Sequence, residues 1–279
     1  MLIDSPSNPT VKSLRSLAAG TRQRRETGLF LAEGIRVVGD ALDAGYVPHV
    51  CLYDPDALGR TERGRTLATL LEALSRSGQG RIFEATPRAI AAAGDTQHPQ
   101  GVVAAFPIPQ WPRPLRGETA ALALICDDIQ DPGNLGTILR TAEASGVGAV
   151  WLAERCVDLY SPKVVRAAMG AHFRLPSFPD APWHDIEAGL SDLGIEASHV
   201  YAAEAGALLP YDSADWTAPS ALVVSNEAHG LGEEARQLAT RGGALVAIPM
   251  HGGTESLNAA IAAAVILFEA ARQRRIAGS

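Results

Sequence analysis

Along the first hundred residues the apolar positions alternate between a helical period of three to four and a strand-like period of two. Val11, Leu14 and Leu17 recur at helical spacing behind the helix start Ser7-Asn8-Pro9, with Lys12 and Arg15 on the polar side. A basic loop follows at Arg22, Arg24 and Arg25, then a short strand at Phe30-Leu31-Ala32. Beyond it the pattern predicts a helix over 35–44, a strand over 47–53, a helix over 67–74, a strand over 81–84, a helix over 88–93 and a closing strand over 101–106. That alternation predicts a small α/β domain over residues 1–106.

Four prolines in the eight residues 107–114 forbid a helix and suit an extended spacer, expected over 107–117. The remaining residues, 118–279, read differently. Nearly continuous apolar runs at 120–125, 147–153, 199–203, 221–225 and 245–250 alternate with helical patterns, as doubly buried parallel strands do. A last helix, from Ser256 to about Arg275, carries Leu257, Ile261, Val265 and Phe268 on one stripe. The chain shows no internal repeat and no low-complexity tail.

Composition narrows the class. With 279 residues, 47% of them apolar, the chain can bury one large core or two modest ones, and two domains are expected. No run approaches the roughly 20 apolar residues that span a bilayer, and the amino end lacks the basic segment and apolar run of a secretory signal, so a soluble cytoplasmic protein is expected. Cys51, Cys126 and Cys156 form no CxxC pair and read as buried thiols, and the seven histidines show no zinc spacing, so no metal is expected. A net charge of −7 argues at first against a nucleic-acid partner. The charge is uneven, however: up to Gly117 there are 14 Lys+Arg against 11 Asp+Glu, and from Glu118 onward 10 against 20. The first part can hold RNA, with Lys12, Arg15, Arg22, Arg24 and Arg25 as candidate phosphate contacts or, equally, as an ordinary solvated face.

The informative residues sit in three loops that follow strands of the second part, where open parallel sheets bind ligands. The first is Asp131-Pro132-Gly133-Asn134-Leu-Gly136, in which Asn134 can cap a helix carrying Arg140. Alone, Arg140 would read as a solvated side chain paired with Glu143 or Glu26; on a helix otherwise small and apolar, an anion-facing role gains weight. The second is Ser225-Asn226-Glu227-Ala-His229-Gly230, where Glu227 reads either as an exposed loop acid or as a ligand-facing one. Gly230-Leu-Gly232-Glu-Glu-Ala235 also fits a relaxed dinucleotide fingerprint, but late in the domain and with acids where a pyrophosphate would bind. The third is Ile248-Pro249-Met250 through Ser256-Leu257-Asn258, where Ser256 by itself would be an ordinary N-cap.

In order and wording the three loops resemble the signature motifs of the SpoU (TrmH) branch of the SPOUT superfamily of RNA 2′-O-ribose methyltransferases. The resemblance rests on Asp131-Pro-x-Asn134-x-Gly136 with Arg140-Thr141-Ala142, on Asn226-Glu227-x-x-Gly230, and on Ile248-Pro-Met250 with Ser256-Leu257-Asn258. Ser161-Pro162-Lys163-Val-Val-Arg166-Ala-Ala168-Met-Gly170-Ala171 resembles another recurrent stretch. Asn8-Pro9-x-Val11-Lys12 and Phe30-Leu31-x-Glu33-Gly34 extend the likeness to the family's amino-terminal substrate-binding domain.

The resemblance implies an α/β fold with a SPOUT-type parallel sheet and a carboxyl-terminal deep trefoil knot, preceded by a small α/β substrate-binding domain. It implies S-adenosylmethionine as cofactor, held by Ser225, Asn226, Gly230, Ile248, Met250 and Leu257, and catalytic roles for Arg140, Asn134, Glu227, Ser256 and Asn258. Arg140 would hold a phosphate and stabilise alkoxide charge, Ser256 and Asn258 would orient ribose and cofactor, and Glu227 would fix Arg140 or the loops. It also implies a homodimer through the last helix, and favours ribosomal RNA as substrate, with a transfer RNA 2′-O-methyltransferase as the alternative. Two positions depart from the family's wording, Ser225 where Gly is common and Ala168 where Ser is common. Two rivals remain: a catalytically inactive RNA-binding homologue, and a small-molecule enzyme of the doubly wound class, which would want a GxGxxG or GxSxG that the chain lacks.

Overall fold

The computed structural model describes residues 2–115, 122–227, 229–254 and 256–278. The end of the expected spacer and the first residues of the strand expected from 120 lie outside the described residues. The chain divides into two compact units: Met1–Gln110 with Tyr160–Phe173, and Trp111–Leu159 with Arg174–Ser279. The change of unit at Gln110 falls within the expected spacer, but Tyr160–Phe173, read from sequence as part of the second domain, belongs to the first unit.

The first unit contains β1 (Leu2–Ile3), α1 (Pro9–Ala19), α2 (Thr21–Thr27), β2 (Leu29–Glu33), α3 (Ile35–Asp43), β3 (Val50–Tyr53), α4 (Pro55–Leu58), α5 (Glu62–Ser77), β4 (Arg81–Ala85), α6 (Pro87–Ala93) and β5 (Val102–Pro107). Its sheet has the order β1-β4-β3-β5-β2, with β5 antiparallel to both neighbours. Asn8 caps α1 by accepting from Thr10 N–H, and Val11, Leu14 and Leu17 are buried as their spacing requires. They pack with Leu31, Leu52, Ile90 and Val103 in one core. The expected basic loop is instead helix α2, closed by Gly28 in the left-handed region. Tyr160–Phe173 joins this unit through aromatic packing: the Phe30 ring lies 5.0 Å from Tyr160 and 5.5 Å from Phe173.

The second unit is built from β6 (Leu122–Asp127), α7 (Pro132–Ser145) and β7 (Ala149–Ala153); helix α8 (Pro162–Ala168), next in the chain, belongs to the first unit. The chain continues through β8 (Ser177–Ala181), α9 (Trp183–Asp192), β9 (Val200–Ala203), β10 (Leu209–Pro210), β11 (Ser220–Ser225), α10 (Glu233–Thr240), β12 (Ala244–Ala247) and α11 (Ala259–Ala277). Its sheet, in the order β10-β12-β9-β11-β6-β7-β8, is parallel at every pairing. The chain moves outward from β6 through β7 to β8, then returns to the other side, so the strand order reverses at β6. Such a reversal opens a crevice at the carboxyl ends of the strands. The register of β11 against β6 pairs Ser225 with Asp127, so the loops after both strands leave the sheet at the same level. The apolar runs expected here are buried, Leu122 to Cys126 and Ala221 to Val224 among them.

Two boundaries differ from expectation for local reasons. Strand β12 stops at Ala247, ahead of Ile248-Pro249, because proline cannot donate to a ladder. Helix α11 begins at Ala259 rather than at Ser256, because Asn258 is its cap. Its buried face is Ala259, Ala260, Ala263, Ile266, Leu267 and Ala270, which leaves Ile261 and Phe268 of the expected stripe exposed. No helix among the described residues is long and apolar enough to cross a membrane.

Candidate active site

Three carboxyl-end loops meet above β6 and β11. Asp131, not Asn134, caps α7: its carboxylate accepts from Asn134 N–H at 2.8 Å, and Pro132 follows at the first helical position. That leaves the Asn134 amide free to reach across. Asn258 Nδ2 donates to Asn134 Oδ1 at 2.9 Å, and the Nδ2 groups of Asn134 and Asn258 stand 3.4 and 3.5 Å from Glu227 Oε1. Asn258 Oδ1 meanwhile accepts from Ala260 N–H (3.0 Å) and Ile261 N–H (3.3 Å), so one side chain both starts α11 and joins the other two loops. Ser256, two residues earlier, is exposed and lines the adjacent cavity.

Arg140 projects from the exposed side of α7 and makes no hydrogen bond or ion pair among the described residues. Each acid that could have claimed it is engaged elsewhere. Glu143 pairs with Arg174, Glu26 with Arg22, and Glu227 with the two asparagines rather than with Arg140. An exposed guanidinium with five donors uncommitted has the chemistry to receive an anion.

The second loop is clasped from below. Gly230 N–H donates to Asn226 O at 2.8 Å with Gly230 at φ +69°, a conformation that favours glycine. Gly232 N–H donates to Asp127 Oδ2 at 2.7 Å, Asn226 Nδ2 to the Asp128 carbonyl at 3.3 Å, and His229 Nδ1 lies 3.3 Å from the Asp128 carboxylate. Burial pushes the Asp127 carboxyl above its ordinary value, partly opposed by the Gly232 N–H and by Arg155. The same burial pushes the neighbouring Cys156 thiol up to about 12 and raises the Cys126 thiol well above its usual range.

Behind the junction lies a cavity of about 240 Å³. Ser225, Asn226, Gly230, Ile248, Met250 and Leu257, the six residues expected at the cofactor, all line it, along with Glu227 and Ser256. The reading from sequence missed Glu204, Ala205 and Gly206, which also line it. They directly follow β9, so the rule that ligands bind beyond strand ends would have found them. Apolar walls come from Val224, Leu231, Val246 and Ile266. Among the described residues, the ionisable side chains on the lining are two acids, Glu204 and Glu227, with no basic one. A largely apolar pocket bearing carboxylates suits a nucleoside attached to a cationic sulfonium.

The basic set of the first unit is only partly available. Lys12, Arg22 and Arg25 are exposed, Arg22 beside Glu26 at 2.7 Å. Arg15 is exposed but commits its Nε to the Ala92 carbonyl at 2.6 Å. Arg24 is buried, donating to the Leu17 carbonyl and to Thr21 Oγ1, so the expectation that it meets phosphate is corrected: it ties α2 to the end of α1.

A fully parallel sheet with a ligand cavity at its strand-order reversal, in a chain that also carries a separate α/β unit, defines a two-unit α/β enzyme of the nucleotide-cofactor type. The SpoU rRNA Methylase family model matches residues 121–268 and the MRM3-like substrate binding domain model matches residues 8–104; the chain belongs to the SpoU methylase family. It is 33% identical to human mitochondrial rRNA methyltransferase 3, over 97% of this chain and 74% of that protein. It is 31% identical to the Bacillus subtilis 23S rRNA (guanosine(2553)-2′-O)-methyltransferase RlmP, over 95% of this chain and 97% of that one. Among solved structures, the AdoMet-bound rRNA methyltransferase from Sinorhizobium meliloti superposes with a TM-score of 0.81 at 32% identity, covering 98% of this chain and 97% of that one.

Proposed function

We propose that this protein transfers a methyl group from S-adenosylmethionine to a ribose 2′-hydroxyl of ribosomal RNA. The observation that carries the reading is the junction of Asn134, Glu227 and Asn258 on the rim of the cavity, with Arg140 exposed and uncommitted on the same helix, α7, as Asn134. Family membership, rRNA methyltransferase relatives and the AdoMet-bound structural neighbour support it.

When bound, S-adenosylmethionine supplies a sulfonium methyl that the ribose 2′-oxygen takes by in-line displacement, leaving a thioether and releasing the hydroxyl proton. Ser225, Asn226, Gly230, Ile248, Met250 and Leu257 hold the cofactor against the apolar walls. Arg140 grips the phosphate next to the target ribose and stabilises the alkoxide charge that grows on the attacking oxygen. Glu227 keeps the two asparagine amides in place, and Asn134, Ser256 and Asn258 orient the ribose. Lys12, Arg22 and Arg25 add phosphate contacts from the first unit.

Three further features belong to this reading. Ile261 and Phe268, 54% and 52% exposed on α11, are the apolar surface of a homodimer. The carboxyl-terminal part of the second unit is threaded into a deep trefoil knot. The protein works in the cytoplasm.

Tritiated methyl transfer to unmodified ribosomal and transfer RNA pools, with wild type and Arg140→Ala side by side, tests the reading. Label on ribosomal RNA that resists alkaline cleavage at one nucleotide, and falls about 100-fold or more in the variant, is expected. Full activity in Arg140→Ala, or absence of cofactor binding by the wild type, would rule it out.

A further inference from the structure

The segment Tyr160–Phe173 carries the stretch from Ser161 to Ala171, which lies outside the candidate active site, yet the chain leaves the second unit to place it in the first. On β2 the neighbours Phe30 and Leu31 face opposite sides of the sheet: Leu31 packs with α1 and α6, whereas Phe30 packs against Tyr160 and Phe173. The segment therefore covers the face opposite α1 and α6. Two ties set it beside α3. Gly170, at φ +87°, abuts Asp40 so closely that a Cβ there would stand 2.8 Å from the Asp40 Cβ. Arg166 Nη1 donates to Asp95 Oδ2 at 3.0 Å, and the Asp95 N–H donates to the buried Glu33, two residues before α3.

This arrangement gathers four cations. Asp40 is shared by Arg36 of α3, whose Nε stands 3.9 Å from Oδ2, and by Arg63 of α5, whose Nη2 donates to Oδ1. Both arginine side chains are half exposed, while Asp40 is largely covered. Arg166 is tied to Asp95, and Lys163, one turn earlier on the same side of α8, is exposed and makes no hydrogen bond or ion pair among the described residues. A guanidinium has five N–H donors; among the described residues Arg63 and Arg166 each commit one to a hydrogen bond and Arg36 commits none. Three arginines and a lysine thus meet two carboxylates, which orient the guanidinium groups and leave most of their donors to solvent. Exposed ion pairs of this kind contribute little to stability, so stability does not account for the cluster.

We propose that Arg36, Arg63, Lys163 and Arg166 form a surface of the first unit that grips the RNA backbone at phosphates other than the one held by Arg140. The inference rests on the reading of RNA as the substrate. It adds a surface distinct from Lys12 of α1, which lies on the other face of the sheet. Phosphate is the ligand that a row of oriented guanidinium groups with uncommitted donors fits, and such contacts fix register without reading sequence. Placing Ser161 to Ala171 in the first unit then completes the surface, because Lys163 and Arg166 join arginines from α3 and α5.

Filter binding of the full chain to unmodified ribosomal RNA over a range of salt, with calorimetric titration of S-adenosylhomocysteine beside it, tests this. Arg36→Gln/Arg63→Gln and Lys163→Gln/Arg166→Gln each remove two cations, and the second leaves Asp40 with both its partners. Each is expected to weaken RNA binding about 10-fold near physiological salt, to reduce the slope of log K against log salt by about 1.5, and to leave S-adenosylhomocysteine affinity unchanged. Arg36→Lys/Arg63→Lys keeps the charge and is expected to keep the slope, which separates loss of phosphate contacts from loss of the Asp40 ion pairs. Methyl transfer by the glutamine variants should show a raised KM for RNA with kcat near the wild-type value. Arg88→Gln removes an exposed cation of α6, on the opposite face, and should change neither affinity nor slope. Wild-type affinity and slope in either double glutamine variant, or an equal loss from Arg88→Gln, would overturn the proposal while leaving the methyltransferase reading intact. No binding of ribosomal RNA by the wild type would overturn both.

Discussion

Asn258 donates its side-chain amide to Asn134 Oδ1 at 2.9 Å, joining two residues 124 positions apart, while its own Oδ1 caps the last helix. The two tasks use different atoms of one side chain and can be separated. Asn258→Ala removes both and is expected to cost about 1 kcal/mol of stability, a fall of roughly 2–4 °C in Tm, together with at least a 10-fold loss of methyl transfer. Asn258→Ser restores a cap but is too short for the junction. Its Tm should return to near the wild-type value while activity stays low, as thermal denaturation and a methyl-transfer assay would show; recovery of activity with the cap would mean that the junction does not matter.

Asp127 is a buried carboxylate whose acceptor role an amide could fill, since Gly232 N–H needs only an oxygen. Its pKa is raised in the folded state, so between the ordinary carboxylate value and the raised one the native protein binds more protons than the unfolded chain. Stability contributed by this site therefore falls as pH rises through that window and stays low above it. Asp127→Asn lacks that titration. Relative to wild type it should gain stability as pH is raised from about 4 to about 7, measured by urea denaturation at both values. A stability difference that does not change with pH would contradict the assignment.

Burial raises all three thiols, Cys156 to about 12. Since the thiolate is the reactive form, the native protein should resist aromatic disulfide reagents at neutral pH, and all three cysteines should react promptly once it is unfolded in guanidinium. A rapid native reaction at Cys156, which is only partly enclosed, would show that the loop after β7 opens readily.

Phe268 is half exposed on α11, off the buried face of that helix, with Ile261 two turns earlier. Phe268→Asp places a charge in the proposed dimer surface but touches no buried position. Light scattering should report a shift from dimer to monomer with the Tm of a dilute sample little changed. A wild type that is monomeric at all concentrations would end the dimer proposal.

Much of the architecture was legible before any coordinate. The α1 stripe, the proline-marked change of unit and the continuous apolar strands of the second unit each depend on neighbours within a few residues, as do the glycines and prolines of the three loops. Local chemistry writes its signature locally. Where choices lay between equivalent local options, the sequence was less decisive: Asp131 and Asn134 are both good caps, and Asp131 took that task while Asn134 reached across; Ser256 and Asn258 are both good caps, and Asn258 took that task and the junction as well.

Contacts between distant segments settled the rest. Arg24 looks like its neighbours Arg22 and Arg25, yet the Leu17 carbonyl turns it inward. Tyr160 and Phe173 look like part of the second domain, yet their rings pack against Phe30. Glu227 had several possible partners, and Asn134 and Asn258 became its partners because parallel pairing of β11 with β6 brings their loops to one edge. Residue type and spacing determined what each segment could form and which chemistry it could offer. Which donor met which acceptor was decided only when strands far apart in the chain paired, because a hydrogen bond of 3 Å depends on the register of the whole sheet and not on the few residues beside it.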